Sequence, residues 1–274
     1  MLNAINKSAK NKIISPFPKR KFSQNIFYGT FDVNSDSFFK QSRKLPNLNS
    51  FQKTYKVNLN IEEESVHMAL LKYIEKVNSG ERGSKSSKII NIEETNETIK
   101  FDILNIYKLE LRKGVLRELS KFLRPIKENN QVKIFVDGGC SGIVKTGSFG
   151  SSLYINDERK LCILGNIGPN STNNTAEYTS INMILLILSQ ISDLKVGDLK
   201  IFADSQLLVR QMNKEYKIRS PHILILNTIA NSLMKTLNVK ESKIIHVLRE
   251  YNYEADFLAD TGKNQTTNSF KLYF

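Results

Sequence analysis

Beyond Asn130 apolar and polar residues alternate in short runs, broken by tight polar turns and by stretches of helical period. The alternation predicts strands over 132–139, 147–155, 160–165, 199–203 and 243–248. The helical period predicts helices over 174–190, 205–212, 221–237 and from 252 to about 262. Three strands in succession, then strands separated by helices, describe an α/β fold: a mixed sheet with helices packed on it.

Before Asn130 the pattern is different. Residues 1 to about 60 lack sustained periodicity and are rich in Lys, Asn and Ser, which predicts an extended or disordered segment. From Ile61 a helix is expected, because Val66, Leu70, Tyr73 and Val77 recur at helical spacing and Gly80 stands where a helix stops. Glu62, Glu63 and Glu64 complement the positive end of its dipole. Residues 79–87, with two glycines and four serines, read as a connector. A second helix is expected over 102–123, with Leu111, Val115, Leu119 and Phe122 as its stripe and Pro125 beyond its end. Glu128-Asn129-Asn130 then marks a boundary. The expected organisation is a basic segment over 1–60, a helical extension over 61–130 and a catalytic-sized domain over 131–274.

Charge sharpens this division. The chain of 274 residues carries 40 Lys and Arg against 27 Asp and Glu. Through Asn130 there are 24 basic and 14 acidic residues, and from Gln131 onward 16 and 13. The positive excess therefore lies mostly in the first half, which suits a nucleic acid or an anionic surface as partner. Met1 to Thr30 contains Lys7, Lys10, Lys12, Lys19, Arg20 and Lys21 and no acidic residue, compatible with a mitochondrial transit peptide, and Lys19-Arg20-Lys21 equally with a nuclear signal. Cys140 and Cys162 have neither CxxC spacing nor a framework, so neither a disulfide scaffold nor a zinc site is indicated. No apolar run approaches the roughly 18 residues needed to span a bilayer, so no membrane partner is expected.

The most informative feature is a near-repeat: Lys133-Ile134-Phe135-Val136-Asp137 and Lys200-Ile201-Phe202-Ala203-Asp204. Side chains in a strand alternate, so Lys133, Phe135 and Asp137 share one face, as do Lys200, Phe202 and Asp204. If the two strands pair in parallel and in register, both aspartates lie side by side at the carboxyl ends, where open α/β sheets place ligands. Adjacent carboxylates repel unless a proton or a cation lies between them. Taken singly, Asp137 is a turn residue before Gly138-Gly139 and Asp204 an N-cap of the next helix. Glu177 leads the apolar stripe of Ile181, Ile184 and Leu188, and a carboxylate aimed at a core needs a partner. Asp256 supplies a fourth carboxylate in a helix capped by Asn252, with Asp260 one turn on as the competing choice.

Four segments together resemble the type 1 ribonuclease H family. They are Phe135-Val136-Asp137-Gly138-Gly139, Thr172-Asn173-Asn174-Thr175-Ala176-Glu177, Ala203-Asp204-Ser205-Gln206-Leu207-Leu208-Val209 and Asn252-Tyr253-Glu254-Ala255-Asp256-Phe257-Leu258-Ala259. The resemblance covers about half the chain. It implies an RNase H-like fold with a five-stranded sheet in the order 3-2-1-4-5, and two Mg²⁺ ions, with Mn²⁺ as the alternative, on Asp137, Glu177, Asp204 and Asp256. It further implies hydrolysis of the RNA strand of RNA–DNA hybrids by two-metal chemistry, leaving 5′-phosphate and 3′-hydroxyl ends. Gly138, Asn173, Asn174 and Gln206 match positions that contact the hybrid in relatives, the asparagines also being turn and cap residues.

Two departures from the family pattern stand out. The histidine many members carry between the last strand and last helix is absent from Arg249-Glu250-Tyr251, which points to the shorter-loop branch. His246 falls inside a strand, and His67 and His222 lie elsewhere. The stretch 212–221 is also too short for a basic protrusion, although Arg210, Lys214, Lys217 and Arg219 surround Tyr216. The competing class is a noncatalytic nucleic-acid or ribonucleoprotein component that keeps the fold. The basic first half sustains it, as a segment for binding nucleic acid or a protein assembly.

Overall fold

The computed structural model describes residues 36–41, 43–58, 113–123 and 130–274, apart from 192, 193, 195, 238, 240 and 268. The helix expected from Ile61, the connector over 79–87, the first half of the 102–123 helix and residues 1–35 lie outside the described residues. Val33–Phe274 forms one compact unit. Its elements are α1 (Ser37–Lys40), β1 (Thr54–Asn58), α2 (Lys113–Leu123), β2 (Gln131–Ser141), β3 (Thr146–Ile155), β4 (Glu158–Gly168), α3 (Asn173–Ser189), β5 (Asp198–Ala203), α4 (Gln206–Met212), α5 (Pro221–Thr236), β6 (Glu241–His246), α6 (Arg249–Gly262) and β7 (Ser269–Tyr273).

The sheet runs β1-β7-β4-β3-β2-β5-β6. Its segment β4-β3-β2-β5-β6 is the expected order 3-2-1-4-5. Among the described residues the sheet has seven strands, not five. β7 adds antiparallel to β4, pairing Cys162 with Tyr273 and Leu164 with Lys271, and β1 adds antiparallel to β7, pairing Tyr55 with Leu272. The physical reason is the free edge of β4: β7 satisfies its unpaired backbone groups, and β1 in turn pairs with the outer edge of β7. Both strands alternate in sequence. Phe270 and Leu272 face the same core that α2 covers with Val115, Leu119 and Leu123.

Period two sorts the central strands onto two faces. Val132, Ile134 and Val136 of β2 and Leu199, Ile201 and Ala203 of β5 pack with Ile181, Ile184, Leu188, Leu226, Ile229 and Leu233 of α3 and α5. The other face receives α6. Two glycines allow these helices to lie close. A Cβ on Gly138 would fall 2.2 Å from the Ala176 carbonyl carbon of α3, and one on Gly150 would fall 2.3 Å from the Ala259 amide nitrogen of α6. Neither helix could keep its place against a side chain there.

Residues 36–41, 43 and 44 fold over the α6 side of the sheet, so this part of the 1–60 segment is not the extended or disordered stretch its sequence predicts. Phe38 stacks on Phe135 at 5.8 Å between ring centres and meets Tyr154 edge-on at 5.0 Å, while Phe39 meets Phe202 at 5.3 Å. Lys133, 1 % exposed, is held beneath Phe38 and pairs with Asp157 at 2.8 Å and Asp36 at 3.5 Å. The aromatic pair from α1 packs on Phe135 and Phe202 and helps exclude water from this face. The boundary expected near 130 is accordingly not an edge of the folded unit.

Phe38 is 2 % exposed at the centre of this cover. Phe38→Ala is expected to lower unfolding free energy by about 3 kcal/mol, measured by urea denaturation of the full chain. A loss below about 0.5 kcal/mol, the range of an ordinary surface substitution, would mean that α1 contributes nothing to the core.

Candidate active site

β2 and β5 pair in parallel, with Lys133 opposite Lys200 and Phe135 opposite Phe202. The two phenyl rings stack with centres 4.8 Å apart. Two residues beyond each ring stand Asp137 and Asp204, so the register anticipated from the near-repeat brings both carboxylates to the same end of the sheet. Neither is a turn or cap residue. β2 continues as strand through Ser141, and the N-cap of α4 is Ser205, whose hydroxyl accepts from the Leu208 amide.

Glu177 projects from the second turn of α3, which begins one residue before the expected start. Its N-terminus is closed by a reciprocal box between Thr172 and Thr175. Asn173 is therefore not a cap: its Oδ1 accepts the Cys140 amide at 2.9 Å, tying the start of α3 to the end of β2. Asp256 lies in the middle of α6, because that helix starts at Arg249 rather than Asn252. Asn252 does not cap it. Fully buried, it donates through Nδ2 to the Val136 carbonyl at 3.0 Å and to Asp204 Oδ1 at 2.9 Å.

Asp137, Glu177, Asp204 and Asp256 line one open pocket of about 360 Å³, together with Gly138, Asn173, Ser205 and Arg249. Of the other sequence candidates, Asn174 and Gln206 are not among the lining residues; Gln206 is exposed at the first position of α4. Burial pushes the Asp137 carboxyl up to about 7, and the neighbouring Asp204 and Asp256 charges add to this against the Gly138 amide that stabilises the ionised form. Glu177 is likewise pushed up to about 7, by burial first and then by Asp137 and Asp204, opposed by the Ser205 hydroxyl. The repulsion inferred from sequence is therefore present in the fold.

Asp256, not Asp260, is the carboxylate that Asp137 feels. Asp260 also lines the pocket, but it is paired with Lys263 at 2.6 Å. Asp256 itself is ion-paired with Arg249. Among the described residues no three Asp, Glu, His or Cys side chains close on a single point. The chemistry of the donor set nevertheless fits a hard divalent cation: oxygen donors only, mutually repelling and partly buried.

His246 ends β6 with its Nε2 3.2 Å from the Asp204 carbonyl oxygen, outside the pocket lining. Tyr216 receives the Arg210 guanidinium both on its ring face, at 5.0 Å, and at its hydroxyl, at 2.6 Å, so one of the basic residues around it is held in place.

With this geometry the class of domain is defined. Residues 136–262 match the family model described as reverse transcriptase-like, and the strand order with its carboxylate end is RNase H-like. The segment 136–262 is thus similar to that family. Three solved structures are similar to it. The N-terminal RNase H domain of a Mycobacterium tuberculosis protein is 26% identical with a TM-score of 0.44, covering 49% of this chain and 99% of that one. RNase H1 from Halobacterium salinarum is 26% identical, TM-score 0.43, covering 48% and 96%. An RNase H1 isolated from compost, solved in complex with an RNA/DNA hybrid, is 27% identical, TM-score 0.44, covering 49% and 97%.

Asn252 is the functional residue that the sequence reading placed in the wrong role. Its signal was its offset of four from Asp256, which puts both on one helical stripe facing the carboxyl ends of β2 and β5. Asn252→Ala would leave the Val136 carbonyl unpaired and Asp204 without its donor. We expect a stability loss of about 2 kcal/mol, read by thermal unfolding, and an unchanged melting temperature would remove Asn252 from the framework of the site.

Proposed function

We propose that the chain hydrolyses the RNA strand of RNA–DNA hybrids endonucleolytically, leaving 5′-phosphate and 3′-hydroxyl ends. One observation carries this reading: four carboxylates from two strands and two helices line one pocket at the carboxyl end of the sheet, two of them driven toward neutrality by burial and by neighbouring carboxylates of the set. Such a cluster is costly to a fold that has no use for it. The likeness to a domain family of this chemistry, and a similar structure holding an RNA/DNA hybrid, support the same substrate.

Asp137, Glu177, Asp204 and Asp256 would hold divalent cations, Mg²⁺ or Mn²⁺, whose chemistry there is to activate a water and to stabilise the leaving oxygen. The chain's own residues do the rest. Asn252 fixes the Asp204 carboxylate through one oxygen and leaves the other toward the pocket's charge. The Ser205 hydroxyl restrains Glu177. Arg249 neutralises Asp256 and, being largely exposed, offers a cation to an incoming phosphate. Gly138, Asn173, Asn174 and Gln206 provide backbone and amide groups for the sugar-phosphate backbone of the hybrid, so recognition would rest on groove shape and 2′-hydroxyls rather than on sequence.

The second reading, a noncatalytic nucleic-acid-binding or ribonucleoprotein component, is favoured by one observation, the Arg249–Asp256 pair, which occupies a carboxylate of the set. Cleavage of a labelled RNA strand in a hybrid separates the two. With Mg²⁺ the wild type is expected to cut the hybrid and spare duplex DNA, whereas EDTA or Asp137→Asn is expected to reduce cutting to background. Tight hybrid binding by a folded wild type without any cleavage, in Mg²⁺ and in Mn²⁺, would select the noncatalytic component instead.

A further inference from the structure

We propose that Arg43, far outside the matched domain in sequence, is a positioning residue for the carboxylate pocket, acting by clamping the first two turns of α6. This rests on the functional reading above. The guanidinium is 8 % exposed on its side chain and lies over four rings: Phe135 at 4.5 Å, Phe38 at 4.8 Å, Tyr253 at 5.2 Å and Phe39 at 5.3 Å. Its Nη2 donates to the Tyr251 carbonyl at 2.5 Å, and its Nη1 stands 3.9 Å from Glu254 Oε2. In return the Tyr253 hydroxyl donates to the Arg43 carbonyl at 2.5 Å. Three consecutive contacts therefore fasten residues 251, 253 and 254 of α6 to one residue of the N-terminal segment.

These turns also carry the pocket's chemistry. Asn252, which holds Asp204, lies between the clamped residues, and Asp256 follows one turn later on the same stripe. Glu254, fully buried, extends the clamp into the sheet through the Tyr154 hydroxyl and the Arg159 guanidinium, and Arg159 donates onward to the Lys44 carbonyl at 2.5 Å. Besides the Asn252 hydrogen bonds and the edge-on contact of Tyr251 with Phe39, the first turn of α6 has no side-chain cap to fix it. Its N-cap is Leu248, which is exposed. An arginine is required here rather than a lysine, since only the planar fork reaches a carbonyl and a carboxylate while lying flat on aromatic rings. The chain thus makes the placement of Asn252 and Asp256 depend on residues 38–44.

Hydrogen exchange and steady-state cleavage in the full-length protein test this, with Arg43→Ala, Arg43→Lys and Tyr253→Phe compared against Leu119→Ala. Leu119 packs on the opposite face of the sheet and serves to match any general loss of stability. Arg43→Ala is expected to speed amide exchange over residues 250–257 and to lower kcat on hybrid by roughly tenfold or more. KM should stay near the wild-type value, because the groups that touch the hybrid remain. Arg43→Lys should not restore kcat, and Tyr253→Phe, the milder variant should Arg43→Ala fail to fold, should move both readouts in the same direction. Leu119→Ala should leave kcat and the exchange of α6 unchanged.

Unchanged exchange in α6, or a kcat loss no larger than that of Leu119→Ala at matched stability, would overturn the proposal. Rescue by Arg43→Lys would reduce the contact to simple charge and overturn the clamp as well. If the wild type cuts no hybrid, the functional reading fails, and exchange over residues 250–257 alone decides whether Arg43 holds α6.

Discussion

Everything in the molecule depends on one pairing, β2 with β5 in parallel and without a register slip. Because side chains in a strand alternate, a slip of one residue would send Phe135 and Phe202 to opposite faces and with them Asp137 and Asp204. The stacked phenyl rings, 4.8 Å apart, lie one side-chain repeat below the carboxylates and hold this register from within the sheet. The opposite faces of the same strands carry Val132, Ile134, Val136 and Ile201, whose burial against α3 and α5 would be lost in any other alignment. Hydrophobic packing thus places two charges together that electrostatics alone would drive apart.

The helix α6 meets the consequences of that placement on several sides. Asn252 gives Asp204 a neutral donor, Asp256 reaches Arg249, and Glu254 turns to Tyr154 and Arg159 in the interior. A buried carboxylate is tolerable only when its partners are supplied by the fold itself. Here they come from β3, from β4 and, through Arg43, from a segment about two hundred residues upstream. Gly150 adds a steric condition, since any side chain there would lift α6 from β3 and separate Asn252 and Asp256 from the strand ends.

Much of this could be read from the sequence, and the remainder had identifiable reasons for escaping. The five central strands and four helices announced themselves by period, and the repeated Lys-Ile-Phe pattern before each aspartate gave the register, since both strands use the same face in the same order. The carboxylates were visible because they interrupt apolar stripes, as Glu177 does at the head of Ile181, Ile184 and Leu188. Asn252 was misjudged for a physical reason: asparagine before an apolar run is a good cap, and only the start of α6 at Arg249 shows that it faces Asp204 instead. β7 and β1 alternate well enough, but five-residue strands at the edge of a sheet carry little signal without knowledge of the edge they complete. Least legible was α1. Four residues have no periodicity, and Phe38 and Phe39 find their partners, Phe135 and Phe202, only through contacts about a hundred residues or more along the chain.

The basic character of the first half acquires a different meaning in this light. A surplus of Lys and Arg in an aperiodic segment reads as attraction to a polyanion, and for solvated residues that reading stands. Arg43 does not belong to that surplus. It is turned inward, covered by four rings and committed to a carbonyl and a carboxylate. Net charge counts such residues as though they faced solvent. A charge excess assigned from sequence therefore overstates what is available to a ligand wherever an extension folds back onto its domain, and aromatic residues beside the basic ones, as in Phe38-Phe39 before Arg43, mark where that folding back occurs.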